Sequence, residues 1–298
     1  MRYRQLGNSS LQISSIGFGC MSLGEDQADN ERLIHRALDL GINFFDTADL
    51  YQGGLNERSV GRILKDKRDR VVLATKVGNQ LRSDGSGMDW NPRPEYIIRA
   101  AEESLTRLQT DRIDLYQLHG GTMEDPIDDT IGAFELLQQQ GKIRYYGISS
   151  IRPNVIREYI RRSRIVSVMM QYSLLDRRPE ESCLGLLGNS GIGVLARGGL
   201  AKGLLVGKPA AAYLNYSAEQ VGLAADAVRS VSGSRRSPSQ TAVAFVLQDT
   251  SVTCAVTGMR TIGQMEGIGT PDDFPVLSPE EVGFLRESVP ISYYEQFR

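Results

Sequence analysis

The chain has 298 residues, and its 34 basic and 36 acidic side chains leave a formal net charge of −2. This balance gives no electrostatic reason to expect nucleic acid or an anionic membrane as a partner. No stretch approaches the roughly 18 uninterrupted apolar residues of a membrane span, so neither membrane insertion nor secretion is expected. The three cysteines are scattered and lack metal-ligand spacing, which predicts reduced thiols in a cytoplasmic protein without a bound metal.

The first elements predicted along the chain form a β-hairpin. Residues 2–6 and 11–15 are separated by Gly7-Asn8-Ser9-Ser10, a typical turn sequence. After this hairpin, short apolar runs typical of strands alternate with amphipathic segments. Eight such runs begin near Ile16, Ile42, Val71, Ile113, Ile143, Ile165, Ile192 and Val252.

Several of the intervening segments have the apolar spacing of helices. The clearest are Glu31 to Leu40, Tyr96 to Leu108 and Ile127 to Gln140. Eight strand–helix units without a break in composition predict an α/β fold, a single (β/α)8 TIM barrel over residues 1–298, with the hairpin covering its bottom. The alternative is an open doubly wound sheet. However, Gly17-Phe18-Gly19-Cys20-Met21-Ser22 lacks the third glycine of the dinucleotide-binding motif of that fold.

Two predicted connections are unusually long. Residues 78–91 follow the third run and contain Trp90, the only tryptophan, whereas residues 198–216 follow the seventh run and are rich in glycine and alanine. Loops of this length are usually functional lids or disordered segments. Both leave the carboxyl ends of strands, where barrels of this kind build their sites.

Three successive strands are predicted to end on ionisable side chains. The second run ends on Asp46, the third on Lys76 and the fourth on His119, while Tyr51 follows Asp46 in a turn-forming loop. Neighbouring strands lie about 4.8 Å apart, so groups on three adjacent strand ends fall within roughly 10 Å of one another. The sequence therefore predicts that these four side chains converge on one substrate atom.

The four residue types suit proton transfer to a carbonyl oxygen. A phenol such as Tyr51 is protonated at neutral pH, and an adjacent ammonium, from Lys76, is expected to lower its pKa and ease donation. Asp46 would balance the charge of the lysine, and His119 would hydrogen-bond the substrate oxygen and fix its direction. The predicted site activates a carbonyl without a covalent intermediate.

Each residue alone has a plainer explanation. Asp46 could cap a helix, Tyr51 could pack in the core, Lys76 could be a solvated strand-end charge, and His119 could be structural. All four explanations would have to hold together at equivalent strand ends, which favours a shared site.

These residues also lie in segments that resemble a known family, the aldo-keto reductases. The segment from Gly41 to Tyr51, followed by Glu57 and Gly61, resembles the family signature. Ala74-Thr75-Lys76 and the segment from Asp114 to His119 resemble its next two blocks. Among the family, the sequence looks closest to bacterial members related to the potassium-channel β subunits.

The resemblance extends from Arg4 to about Gly267. It implies a (β/α)8 barrel, NADPH/NADP+ bound without a Rossmann motif, and reversible reduction of a small-molecule carbonyl substrate. It implies a catalytic tetrad in which Tyr51 donates the proton, completed by Asp46, Lys76 and His119. The predicted substrate contacts are Tyr51, His119 and Trp90.

The resemblance also implies a set of cofactor-binding positions. They are Cys20, Met21, Asp46, Ser149, Ser150, Gln171, Arg197, Gly198, Leu200, Lys208, Gly258, Arg260 and Gln264. Ser149 and Gln171 would hold the carboxamide of the nicotinamide, whereas Ser150 stands where relatives often carry asparagine. Arg197 replaces an aromatic residue that stacks on the nicotinamide in many relatives, and a planar guanidinium can also stack. The loop from Gly198 to Lys208 resembles a strap over the pyrophosphate.

The segment after the eighth strand is expected to bind the adenosine end of the cofactor. Arg260, at the start of a predicted helix, is suited to a 2′-phosphate, which favours NADPH over NADH. Gln264 matches an adenosine-contacting position. The chain departs from the family where Gly267-Ile268 replaces a Glu-Asn pair, which weakens the expected adenine contacts.

Two other functions are compatible with these residues. One is a Schiff-base aldolase that uses Lys76 as its nucleophile, which the pairing with Asp46 opposes. The other is a regulatory subunit that senses redox state through bound NADPH and turns over little. Neither the physiological substrate nor the oligomeric state is predicted. Substrate specificity is expected to lie in residues 78–91, in the strap and in the tail from Ser292 to Phe297.

Overall fold

The computed structural model describes residues 1–272 and 274–298 and contains a closed barrel of eight parallel strands. An antiparallel hairpin, β1 (Tyr3–Gln5) and β2 (Gln12–Ser14), precedes the barrel. The barrel strands follow one another around the circle in chain order. They are β3 (Ile16–Gly19), β4 (Phe44–Asp46), β5 (Val72–Val77), β8 (Ile113–Leu118), β9 (Ile143–Ser149), β10 (Ser167–Gln171), β11 (Gly193–Arg197) and β12 (Val252–Thr257). The predicted (β/α)8 barrel is therefore confirmed, and the open doubly wound sheet is wrong.

Helices surround the barrel and connect its strands. They are α1 (Gln27–Asp39), α2 (Leu55–Leu64), α3 (Pro94–Leu108), α4 (Ile127–Gln139), α5 (Pro153–Arg162), α6 (Cys183–Asn189), α7 (Ala218–Val231), α8 (Pro238–Leu247), α9 (Ile262–Ile268) and α10 (Pro279–Glu287). Short 3-10 helices span Cys20–Ser22, Tyr51–Gly54, Lys65–Arg70, Arg178–Glu181 and Ala201–Val206. The three helices predicted from apolar spacing are confirmed as α1, α3 and α4. The first starts earlier than predicted because the Asp26 side chain accepts a hydrogen bond from the Asp29 N–H and caps it.

The N-terminal hairpin closes the amino end of the barrel, as predicted. The Arg4 guanidinium donates to the carbonyl of Val252, at the start of β12, over 2.6 Å. At Gly7, where φ is +50°, a Cβ atom would overlap the carbonyl oxygen of Val166. Side chains of the hairpin fill the barrel at the amino end of its strands, and we call the opposite, carboxyl end the mouth of the barrel. The inward cluster consists of Leu6, Leu11, Ile13, Phe44, Val72, Ala74, Leu115, Val166, Met169, Leu195, Cys254 and Val256.

The first long connection contains regular structure that was not predicted. Residues 78–91 form an antiparallel hairpin of β6 (Asn79–Leu81) and β7 (Met88–Trp90). It leaves the barrel immediately after β5 and returns to α3. This hairpin therefore projects from the mouth of the barrel beside the strand that carries Lys76.

The remaining core lies between the barrel and the helices around it. It consists of aliphatic and aromatic side chains from both layers, including Ile97, Leu137 and Val194. None of the helices in the described part of the chain has the length and apolar character needed to cross a bilayer.

Candidate active site

A buried ion pair between two neighbouring strands forms the centre of the site. Asp46 is the last residue of β4, and Lys76 lies near the end of β5, whose residue Ala74 pairs with Asp46. The Lys76 ammonium lies 2.6 Å from Asp46 Oδ2 and also donates to the Thr47 carbonyl over 2.7 Å. Lys76 is only 1% exposed, so it is not a solvated strand-end charge, and Asp46 caps no helix.

Each member of this buried ion pair stabilises the charged form of the other and so shifts its pKa. Burial alone would lower the pKa of Lys76, but the nearby Asp46 and Tyr51 oxygens outweigh it and raise that pKa. Burial raises the pKa of Asp46, while Lys76 and the Gln117 amide oppose the rise. Lys76 is therefore held as an ammonium, which keeps a positive charge beside Tyr51.

Tyr51 is brought to this ammonium by an unusual backbone. It follows Leu50, and the next three residues, Gln52, Gly53 and Gly54, all have positive φ values, of +51°, +61° and +87°. Such strain in a non-glycine residue clusters at functional sites. Lys76 donates to the Tyr51 hydroxyl oxygen over 3.4 Å. Since that oxygen accepts from the lysine, its own hydrogen is free for another acceptor.

Lys76 lowers the pKa of the Tyr51 phenol, as predicted, but the net pKa of this phenol is raised. Burial raises the pKa of the phenol, and this effect is larger than the lowering caused by Lys76. Asp46 also raises it, and Arg197 lowers it. The ammonium acts in the predicted sense, but the prediction omitted the cost of forming a phenolate away from water.

His119 follows β8 directly, and its ring makes an edge-to-face contact with that of Tyr51. The ring centroids are 6.1 Å apart with an interplanar angle of 82°. Burial, followed by the charges of Lys76 and Arg197, lowers the pKa of His119 to about 3. Its Nδ1 atom has no hydrogen-bond partner among the described residues. His119 is thus a neutral imidazole that can orient an oxygen but cannot act as an acid at neutral pH.

Two supporting residues of the site were missed in the sequence. Gln117 donates to Asp46 Oδ1 over 3.2 Å from the inner face of β8. Asn79 donates to the His119 carbonyl oxygen over 3.1 Å. The period-two alternation of a strand puts Gln117 on the same face as His119, which is a signal that could have found it. Asn79 had no such signal, because the hairpin that carries it was not predicted.

The seventh strand carries Arg197 to the same mouth. Its guanidinium donates to Gln171 Oε1 over 3.0 Å, and Gln171 Nε2 donates to the Tyr213 hydroxyl over 3.1 Å. Because Arg197 lowers the pKa values of both Tyr51 and His119, it lies within electrostatic reach of the ion-pair site. Two predicted cofactor residues, Gln171 and Arg197, are therefore brought together beside the predicted catalytic residues. Tyr213 was not predicted.

Other predicted cofactor residues differ in their accessibility. Cys20 is fully buried, whereas Met21 next to it is 70% exposed. Ser149 ends β9 and is partly exposed, but Ser150 is buried and its hydroxyl accepts from the Arg152 N–H over 3.2 Å. Of these four, Met21 and Ser149 have surface that a bound molecule can contact.

The predicted strap has a strained turn at its centre. Ala201, Lys202 and Gly203 are consecutive left-handed residues, with φ values of +46°, +58° and +92°. Gly198 at the start of the strap has φ of +77°, and Leu200 is partly buried. Lys208 at its end is exposed, and a Cβ atom at Gly203 would lie 3.1 Å from the Lys208 methylene chain. The strap is folded back on itself, with a cation at its edge.

The segment after β12 is open to solvent. Gly258, Arg260 and Gln264 are exposed, and the side-chain Oε1 of Gln264 accepts from the Arg260 backbone N–H over 2.8 Å. In the Gly267-Ile268 pair that departs from the family, Ile268 is only 2% exposed and packs in the core. The substitution thus ends α9 with an apolar anchor in place of a polar side chain.

These observations can be compared with known proteins. The Aldo/keto reductase family model matches residues 15–289. The chain belongs to the aldo-keto reductase family. This assignment agrees with the closed barrel and with the four converging side chains, but it does not single out the branch of the potassium-channel β subunits, which stays a prediction.

Three relatives illustrate where this aldo-keto reductase stands in its family. The uncharacterized oxidoreductase YqkF of Bacillus subtilis (strain 168) is 46% identical over 307 residues, with 100% of both chains covered. The holo form of aldo-keto reductase AKR11C1 from Bacillus halodurans is 48% identical, with a TM-score of 0.94, and the match covers 100% of this chain and 99% of that chain. Aldo-keto reductase yakc [NADP(+)] of Schizosaccharomyces pombe (strain 972 / ATCC 24843) is 34% identical over 214 residues, which cover 68% of this chain and 62% of that protein.

Two signature residues of this aldo-keto reductase have structural roles. Glu57 is fully buried and accepts from the Thr75 hydroxyl and from the Arg107 guanidinium, each over 2.6 Å. It thereby joins β5, α2 and α3 behind Lys76. At Gly61 a Cβ atom would overlap the main chain of Leu108, so a side chain there would separate α2 from α3.

Asp49 is a buried acid in the loop that carries Tyr51. The Tyr96 hydroxyl lies 3.4 Å from its Oδ2 atom, and its Oδ1 atom has no partner within the described residues. Burial and then the Glu57 carboxylate raise the pKa of Asp49 to about 7. The protein therefore holds a proton near the site that an exposed aspartate would have lost.

This proton makes stability depend on pH. The pKa of Asp49 is higher in the folded than in the unfolded protein, so the protonated carboxyl adds to the free energy of unfolding in full below about pH 4. This stabilisation is lost as the pH rises through about 7. Asp49→Asn should be more stable than the parent at pH 8, by on the order of 4 kcal/mol, and the difference should vanish toward pH 4. Urea unfolding of both proteins across this range measures the effect. A difference that does not change with pH would contradict it.

Proposed function

We propose that the chain is an NADPH-dependent reductase that converts aldehydes or ketones to alcohols, with Tyr51 as the proton donor. The observation that carries this proposal is the buried Lys76 ammonium, 2.6 Å from Asp46 and 3.4 Å from the Tyr51 hydroxyl. It is a preorganised charge beside a protonated phenol at the mouth of the barrel. Such an arrangement stabilises negative charge as it develops on a substrate oxygen.

The residues around the mouth fit a nicotinamide dinucleotide phosphate. Gln171 and Ser149 offer amide and hydroxyl groups for the carboxamide, and Arg197 offers a planar cation beside them. The three left-handed residues of the strap point to a ligand site, since such backbone strain clusters at ligand clamps and successive turns can form anion-binding concavities. Exposed Lys208 and Arg260 suit the phosphates. The yakc relative of Schizosaccharomyces pombe is named for NADP(+), which supports the same cofactor.

Each of the four site residues has its own role in the proposed carbonyl reduction. When bound, NADPH supplies a hydride to the carbonyl carbon. Tyr51 gives its hydroxyl proton to the carbonyl oxygen, and Lys76 stabilises the phenolate that remains. His119, whose imidazole is neutral and whose Nδ1 has no hydrogen-bond partner among the described residues, directs the oxygen toward Tyr51. Asp46 keeps the lysine charged throughout.

The same geometry disfavours a Schiff-base aldolase. A lysine attacks a carbonyl only as the free amine, and such lysines usually have a lowered pKa. The pKa of Lys76 is raised by Asp46 instead. Borohydride trapping of the protein with a carbonyl substrate should therefore leave Lys76 unmodified.

A direct assay tests the proposed function. The purified protein is mixed with NADPH or NADH and a panel of aldehydes and ketones, and the loss of nicotinamide absorbance is followed. We expect turnover with several carbonyls and a preference for NADPH, given the exposed Arg260. Tight NADPH binding with negligible turnover across the panel would favour the redox-sensing regulatory subunit and would overturn the reductase.

The pH dependence of carbonyl reduction should follow from the pKa values of the His119 imidazole and the Tyr51 phenol. The pKa of His119 is held at about 3, so its titration gives no inflection near pH 6.5. The pKa of Tyr51 is raised, and reduction needs the protonated phenol, so the rate should fall only above about pH 10. A pH series of kcat/KM tests this, with Asp49→Asn as the control because burial raises the pKa of Asp49 to about 7. An inflection near 6.5 that persists in the control would contradict the neutral histidine.

The proposal locates the protein in the cytoplasm. All three cysteines, Cys20, Cys183 and Cys254, are free and buried. This agrees with reduced thiols, which are normal in that compartment.

A further inference from the structure

Trp90 lies across two glycines at the ends of neighbouring strands. A Cβ atom at Gly78 would be 2.6 Å from the indole ring, and one at Gly120 would be 3.0 Å from it. Both glycines have positive φ values, of +127° and +150°. Gly120 follows His119 directly, so the ring covers the main chain that carries the histidine. A side chain at Gly78 would overlap the indole, and one at Gly120 would push the ring away, so both glycines allow this close approach.

One carboxylate fixes the rotation of this indole ring. The Trp90 N–H donates to Asp125 Oδ1 over 2.8 Å. Asp125 also accepts from the hydroxyl of Thr122 at Oδ1 and from its backbone N–H at Oδ2, each over 2.8 Å. Asp125 therefore ties the tryptophan of the hairpin after β5 to the loop after β8.

Besides its edge contact with the Tyr51 ring, the His119 ring is held by contacts to its main chain. Its Nδ1 atom has no partner among the described residues. By contrast, its backbone N–H donates to the Val77 carbonyl over 2.7 Å, and its carbonyl accepts from Asn79 over 3.1 Å. The imidazole is thus placed by contacts to the backbone on either side of it, and Trp90 packs on the residue that follows.

We propose that Asp125 is a positioning residue for His119, acting through Trp90 and Gly120. Without the carboxylate, the indole loses the hydrogen bond that sets its rotation, and the main chain at Gly120 loses the surface against which it packs. The histidine then points at the substrate oxygen less often. The proposal rests on the proposed carbonyl reduction, in which the direction of that oxygen matters.

A double-mutant cycle with His119→Ala tests the proposal. Asp125→Leu should lower kcat on the order of tenfold to a hundredfold, as small misplacements of catalytic groups do, and leave NADPH binding unchanged. In the His119→Ala background it should have no further effect on kcat, because both changes remove the same contribution. Asp125→Asn, which keeps an oxygen acceptor for the indole N–H, should retain most of the activity.

NMR of the histidine rings gives a readout that does not need turnover. The chain has only two histidines, so His35 serves as an internal reference and His119→Ala assigns the other signal. Asp125→Leu should shift the His119 ring resonances and leave those of His35 in place. The matched control is Asp89→Asn, since Asp89 adjoins Trp90 but pairs with the exposed Arg82 at the surface. This variant should shift neither ring.

The double-mutant cycle and the NMR measurement together distinguish a failure of the positioning role from a failure of the proposed carbonyl reduction. Unchanged His119 resonances in Asp125→Leu, or equal losses of kcat in both backgrounds, would overturn the positioning role. If the parent protein reduces no carbonyl, the proposed function fails, and the NMR measurement still decides whether Asp125 positions the histidine.

Discussion

Tyr51→Phe should lower kcat for carbonyl reduction by about 10²- to 10⁴-fold, the usual contribution of a positioned acid or base. The phenyl ring keeps the packing against His119, whose centroid lies 6.1 Å away, and loses only the hydroxyl. His119 cannot replace Tyr51 as the proton donor at neutral pH, because burial and nearby cations lower its pKa to about 3. Steady-state reduction of an aldehyde by the variant and the parent measures the loss.

The binding of NADPH separates this loss from a damaged fold. Tyr51→Phe should bind NADPH almost as well as the parent, because no proposed cofactor contact depends on the hydroxyl. Binding can be followed through the emission of Trp90, the only tryptophan of the chain. If the variant turns over at the parental rate, Tyr51 is not the proton donor.

The barrel could be predicted because its signal is local and repeated. Each apolar run predicts a strand by itself, and the closed order of eight strands follows from their number and their alternation with helices. The hairpin from Asn79 to Trp90 could not be predicted in this way. Its strands have three residues each, too few to show a period, and its position depends on the packing of Trp90 against Gly78 and Gly120.

The meeting of Asp46, Lys76 and His119 could be predicted because parallel strands bring their carboxyl ends to one edge. The energetics of the site could not. Whether the phenol of Tyr51 becomes easier or harder to ionise depends on the balance between burial and the nearby ammonium. Burial is set by the whole barrel, and in this protein it outweighs Lys76.

The residues that hold the site in place from behind were also hard to predict from the sequence. Glu57 was known only as part of a family signature, but its buried bonds to Thr75 and Arg107 give it a structural reason. Its partners are 18 and 50 residues away in sequence. Contacts over such separations have no periodic signal, so the residues that hold a site together are harder to predict than those that line it.

Lys76→Met should both abolish efficient turnover and destabilise the fold. Removing the ammonium leaves the Asp46 carboxyl buried without its cation, a change that usually costs about 3–5 kcal/mol. The pKa of Tyr51 should rise further, since Lys76 lowers it in the parent. The fall of the reduction rate with pH should therefore move to higher pH. Urea unfolding measures the first effect, and a pH series of kcat measures the second.

The matched control removes both charges. The double variant Asp46→Asn with Lys76→Met has no unpaired buried charge, so it should recover most of the lost stability. It should not recover turnover, because the ammonium beside the phenol is still missing. Equal stability of the two variants would mean that the ion pair contributes little to the fold. Recovered turnover in the double variant, or an unchanged pH profile in the single one, would show that Lys76 does not act on Tyr51.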